Sequence, residues 1–349
     1  MITKHKALMK KYILFSIFAI LITRVSAQDL SLLNSYKDSI ARLASEMVKV
    51  SDDKLKVDIS DKISNLVFNI TEHAKSINYN FDELKFVKVL TSSDKKFRVF
   101  TWVIPFSDKT YAYRGIAQCY NKSKKEYTSY TLTDKGDKLG FAQNKTLDIK
   151  KWYGAYYYKM IETKRGSKRF YTLIGWRGIS RTVQSKVIEV VTIKNRGNIT
   201  FGYNIFDIKG YDYFGKGNRS SKRLIFKFST QGNMYLNYDY QTIIIASSKS
   251  KKHKRKTNYK PGFNAQSSPE KEKIKTKSIK DNMIVLDRLV PTSPQMKEFY
   301  DFYYPESNII DALLWQKNKW KYYADIDARN KVSNTDKINK KIEYDLVPK

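Results

Sequence analysis

Cysteine and histidine are nearly missing from this chain, which has one cysteine and three histidines in 349 residues. A lone Cys119 closes no intramolecular disulfide. Zinc sites of the usual Cys/His kind lack ligands. Of the histidines, His5 falls in the basic N-terminal segment and His253 in a lysine run. His73 sits on an apolar helical stripe and reads as a packing residue. Ser-His-Asp and Cys-His chemistry, which need a positioned imidazole, therefore have no evident base. Neither a Walker A sequence nor a G-x-G-x-x-G after a strand occurs. No cofactor and no metal are expected. Asp325–Asn330 carries three oxygen-bearing side chains but is too short for a calcium loop and lacks its glycine and terminal glutamate.

Acidic residues are also outnumbered. There are 66 Lys and Arg against 34 Asp and Glu, a formal charge of +32. Such a chain favours anionic surfaces. The expected partner is an anionic polysaccharide or envelope surface, with nucleic acid second. The competing explanation is compositional, since Lys, Asn, Ile and Tyr are abundant and the charge is spread along the chain.

The first 27 residues read as a secretory signal peptide. Lys4, Lys6, Lys10 and Lys11 form a basic start, and Tyr12–Thr23 is an uncharged, mostly apolar run. Val25-Ser26-Ala27 supplies the small residues of a cleavage site. A run of 12 residues falls short of a membrane-spanning helix, which needs about 20. No transmembrane span is expected after cleavage. Removing the leader's five basic residues lowers the formal charge to +27. Export without disulfides fits a bacterial envelope, so the protein is expected to be periplasmic, outer-membrane-associated or secreted.

The mature chain opens with helical spacing. Leu33, Tyr36, Ile40, Leu43, Met47 and Val50 form one seam, and Leu55, Ile59, Ile63, Leu66, Ile70, His73 and Ile77 a second. Ser51-Asp52-Asp53 between them supplies N-cap chemistry. An antiparallel helical hairpin over 28–80 follows. Its seam is satisfied internally, by the next domain, or by a second copy, which would make a homo-oligomer through Leu33–Ile77.

From Phe86 the period becomes two. The expected strands are Phe86–Leu90, Phe97–Ile104, Thr110–Tyr120, Tyr127–Leu132, Tyr153–Thr163, Arg169–Trp176, Lys186–Lys194, Arg223–Ser229, Met234–Tyr238, Thr242–Ala246, Asn282–Leu289 and Lys319–Ile326. Short polar turns imply antiparallel pairing. The predicted fold is mainly β, an antiparallel multi-stranded sandwich or propeller-like domain over 81–330 behind the N-terminal α-helical hairpin. Residues 247–280 are expected as a disordered basic insertion, and 331–349 as a flexible tail.

Candidate site residues fall into two groups. Glu162, Glu189 and Asp287 are carboxylates inside apolar strands, weak candidates for a glycoside hydrolase pair. The aromatic and basic residues Tyr157, Trp176 and Arg177, with Lys251, Lys252 and Arg255 of the insertion, are candidates for binding. Trp176-Arg177-Gly178 is read as a loop forming a binding rim. A non-enzymatic binder is the leading expectation, with a carboxylate-dependent hydrolase and an oligomeric scaffold as alternatives.

The leader ending Val25-Ser26-Ala27, the Tyr171–Trp176 segment, and Asp287–Pro291 followed by Tyr303–Glu306 together resemble uncharacterised secreted or periplasmic β-rich proteins of Bacteroidetes-type bacteria. That resemblance implies no activity and transfers no site residues.

Overall fold

The computed structural model describes residues 30–73, 76–82, 84–208, 221–246 and 276–326. The leader, the tail 331–349, and Lys251, Lys252 and Arg255 lie outside them. The chain divides into two compact units. The first holds the chain up to Ile205 together with Ser220–Asn233 and Pro291–Tyr304; the second holds Phe206–Arg219, Met234–Val290 and the chain from Pro305. The β region expected as one domain over 81–330 is thus shared between both units, because the chain passes from one to the other several times.

In the first unit, helix α1 (30–49) and helix α2 (Asp53–Glu72) form where the heptad spacing predicts two helices, but α2 stops short of the predicted seam's end, with His73 as its C-cap and Ile77 in a separate 3-10 turn. Asp52 caps α2, its side chain accepting from the Leu55 backbone at 3.0 Å. The buried stripe is Ile59, Ile63, Val67 and Ile70, while Leu55 at the first turn faces outward. With Leu33, Ile40 and Met47 of α1 these residues share a core with Phe100, Trp102, Ile104 and Ile116. The seam, one of whose expected partners was a second copy, is covered within the unit by its own sheet.

That sheet is β1 (Val87–Thr91), β2 (Phe97–Pro105), β3 (Tyr111–Asn121) and β4 (Glu126–Leu132), an antiparallel meander in that order. Strand β2 is apolar on both faces. Phe100, Trp102 and Ile104 face the helices, whereas Phe97 and Val99 face a second sheet. A strand covered on both sides reads as a near-continuous apolar run, broken here only by the buried Arg98 and Thr101.

The second sheet comprises β5 (Tyr156–Arg165), β6 (Lys168–Gly178), β7 (Val183–Ile193), the short β8 (Ile199–Phe201) and β10 (Arg223–Ser229), ordered β10-β7-β6-β5 with β8 beside β7. Its Tyr157, Tyr171, Leu173, Val187 and Val191 pack with Phe97, Val99, Tyr113 and Ala117 of the first sheet. The first unit is accordingly a β-sandwich with a helical layer on one side.

In the second unit, β9 (Phe206–Asp207), β11 (Leu236–Ala246), β12 (Thr276–Pro291), β13 (Tyr303–Gln316) and β14 (Lys319–Tyr323) form a sheet ordered β11-β12-β13-β14-β9, with β14 and β9 parallel. Three details differ from the sequence reading. Strand β11 is continuous, because eleven consecutive pairs with β12 carry Asp239–Gln241, left between two expected strands, through. Strand β12 starts at Thr276, inside the stretch read as disordered to 280, because Ala246 and its neighbours pair with it. Strand β13 was hidden by Pro305, Glu306, Ser307 and Asn308, the last at φ 62°.

Candidate functional site

Glu162 and Glu189 do not form a facing pair. Glu162 on β5 accepts from Arg169 Nη1 at 2.7 Å and from the Ser93 backbone. Glu189 on β7 is fully buried and bonds Arg223 Nε at 2.8 Å. The register sets Glu162 and Glu189 two strands and two residues apart, on the order of 12 Å between their Cα atoms. Burial pushes the Glu189 carboxyl up against the opposing pull of Arg223. Asp287 belongs to the second unit, where its side chain accepts from the Tyr235 backbone at 2.7 Å.

The residues read as a binding rim lie inside. Strand β6 runs on to Gly178, pairing Trp176 with Lys186 and Arg177 with Ser185, so this stretch is strand rather than loop. Trp176 is 7% exposed and donates from Nε1 to Gln184 at 2.8 Å. Arg177 is 1% exposed. Its Nη1 reaches Asp134 at 3.0 Å and the Gly154 carbonyl at 2.9 Å, and its Nη2 reaches Asp137 at 2.7 Å. Its guanidinium also lies over the Tyr113 ring at 4.6 Å. Arg177 therefore holds the 133–155 connection against the sandwich. Tyr157 is fully buried and accepts from Trp152 Nε1 at 2.9 Å. Its backbone N–H donates to Thr101 Oγ1 at 3.1 Å, joining the two sheets.

A different set of residues is left with unused binding capacity. The β5–β6 hairpin carries four cations in six residues, Lys164-Arg165-Gly166-Ser167-Lys168-Arg169. Gly166 takes φ +57° at the turn. Strand alternation sorts the cations onto two faces. Lys164 pairs across the hairpin with Arg169, and Arg165 with Lys168. On the inner face Arg169 finds two carboxylates, Asp94 at 3.0 Å and Glu162 at 2.7 Å.

On the outer face Arg165 and Lys168 find aromatic rings instead. Arg165 lies 5.5 Å from the Phe170 ring and 5.7 Å from the Tyr203 ring. Lys168 Nζ lies 3.9 Å from the Tyr203 ring. The two rings are 5.0 Å apart and tilted at 48°. Arg165 Nε and Nη2 are buried without a hydrogen-bond partner, as is Thr163 Oγ1 on the same strand. Among the described residues no carboxylate pairs with Arg165 or Lys168. Sequence reading treated this hairpin only as a polar turn. The signal available was the run of four cations with aromatic Phe170 two residues beyond Lys168, but Tyr203 comes from a distant connection.

No family model, curated protein or solved structure matches the chain. Its class is therefore defined by architecture: mainly β, three sheets in two units, with a helix pair leading the first.

Proposed function

We propose that this is an exported, non-enzymatic protein of a bacterial envelope that binds an anionic or glycan surface. The observation that carries the reading is the outer face of the β5–β6 hairpin, where two cations without acidic partners among the described residues sit over the partly exposed Tyr203 ring, which is backed by the buried Phe170. Aromatic faces stack on sugar rings, and cations recruit oxyanions. The excess of basic residues adds a long-range attraction toward any polyanion. The leader supports an extracytoplasmic location, where such polymers are displayed.

The test is retention of the chain lacking residues 1–27 on immobilised acidic polysaccharide, peptidoglycan and DNA, at low and high salt. Retention on the polysaccharide or peptidoglycan at low salt, falling as salt rises, is the expected outcome. Failure to bind either at low salt overturns the reading.

A further inference from the structure

We propose that Arg165 and Lys168 form a subsite for an oxyanion carried on a sugar ring, with the ring set against Tyr203. This rests on the anionic-glycan reading above and names its ligand class. Nε and Nη2 are the two nitrogens that present a side-on guanidinium fork, the geometry that takes a carboxylate or a phosphate or sulfate ester by two parallel hydrogen bonds. Both lack a partner here. Leaving two buried donors unsatisfied is costly, and a bidentate oxyanion would satisfy both together.

Lys168 stands directly opposite Arg165 across the hairpin. Like charges in that position repel. A bound anion converts the repulsion into attraction from both sides. Lys168 is exposed and Tyr203 partly exposed, so the cluster meets solvent on the Lys168 side, with the Arg165 fork beneath it. Thr163, on the same face, adds a hydroxyl that is also unpartnered. The other face of the hairpin is an internal comparison. There Arg169 has what Arg165 lacks, two carboxylates supplied by the chain itself.

Calorimetric titration of the chain lacking residues 1–27 tests the assignment. The probes are oligogalacturonate, a heparin-derived oligosaccharide, neutral dextran, inorganic phosphate and a single-stranded oligonucleotide. Lys168→Gln and Lys164→Gln remove the same charge from opposite faces of one exposed turn. The expected result is that Lys168→Gln weakens the acidic saccharide at least about tenfold while Lys164→Gln changes it less than about twofold. Arg165→Gln abolishes the binding. As a readout independent of that variant's folding, the Arg165 Nε–H resonance of the unsubstituted protein shifts on adding saccharide.

Binding of acidic saccharide that Lys164→Gln and Lys168→Gln weaken equally, with no Arg165 shift, overturns the subsite and leaves the surface-binding reading standing. An unsubstituted chain that binds neither acidic saccharide overturns the subsite, and overturns the surface-binding reading as well where the chain is not retained on peptidoglycan. Equal binding of dextran removes the oxyanion from the proposal. Inorganic phosphate binding as tightly as the saccharides removes the sugar ring. Lys168-dependent binding of the oligonucleotide alone reassigns the subsite to nucleic acid and overturns the saccharide class.

Discussion

Trp102 Nε1 donates a 2.8 Å hydrogen bond to Ser60 Oγ, and neither residue has any exposed surface. This bond crosses from the first sheet to α2 and lies within the core they share. Trp102→Phe removes the donor and part of the ring, and is expected to cost about 1–3 kcal/mol. Ser60→Ala strands the indole N–H and costs about 1 kcal/mol or more. Urea unfolding of both variants and the double variant checks this. Strict additivity of the two losses would show that the bond contributes nothing.

Asp94, in the turn between β1 and β2, is partly buried, and burial alone would raise its carboxyl. Hydrogen bonds from Ser92 and the Lys96 backbone, together with Arg169, overcome that and hold it below the ordinary value. A depressed carboxylate contributes stability that is present above its unfolded value and lost as pH falls through the folded one. Asp94→Asn is expected to cost about 1–2 kcal/mol at neutral pH. The gap between variant and parent should close as pH drops below the ordinary aspartate range. A gap independent of pH would contradict the assignment.

Gly154 occupies φ +74°, and a Cβ there would strike Asp134 Oδ1 and Arg177 Nη1. Gly154→Ala therefore combines left-handed strain with displacement of the Arg177–Asp134 pair. A loss of at least about 2 kcal/mol is expected. Gly166→Ala has open space around its Cβ and carries the backbone strain alone. Its loss, by thermal or urea unfolding, should be the smaller of the two.

Cys119 is fully buried, and burial pushes its thiol up to about 12. Its Sγ faces the Gly197 carbonyl at 3.2 Å. The folded protein should resist a thiol reagent at pH 8 and react stoichiometrically once unfolded in denaturant. Rapid labelling without denaturant would show that this part of the sandwich opens locally.

Much of the fold was legible because periodicity reports burial. The spacing of Leu33–Val50 and Leu55–Ile77 predicted both helices, and the strands from β1 to β10 fall near their expected positions, apart from the very short β8 and β9. Legibility failed where long-range pairing overrode local chemistry. Asp239–Gln241 fell between two expected strands, yet pairing with β12 carries β11 through them, and β13, interrupted by Pro305–Asn308, was not among the expected strands. The site candidates fared differently. A carboxylate or Trp-Arg pair in an apolar strand signals an unusual environment without revealing its partners. For Glu189 and Arg177 those partners are Arg223 and Asp134, both distant in sequence, and for Glu162 the partner is Arg169, reached across the β5–β6 hairpin.

The sequence by itself determined the kinds of elements, the two-residue alternation that separates Arg165 and Lys168 from Lys164 and Arg169, and the excess of positive charge. These depend only on side-chain type and backbone period. Which cations are neutralised was decided by the tertiary structure. Stacking the two sheets brings Asp94 to one face of the hairpin, and the connection after β8 brings Tyr203 to the other. Electrostatic partners are chosen by proximity in space, so one arginine of the turn acquires carboxylates while its neighbour is left with aromatic rings and an empty fork.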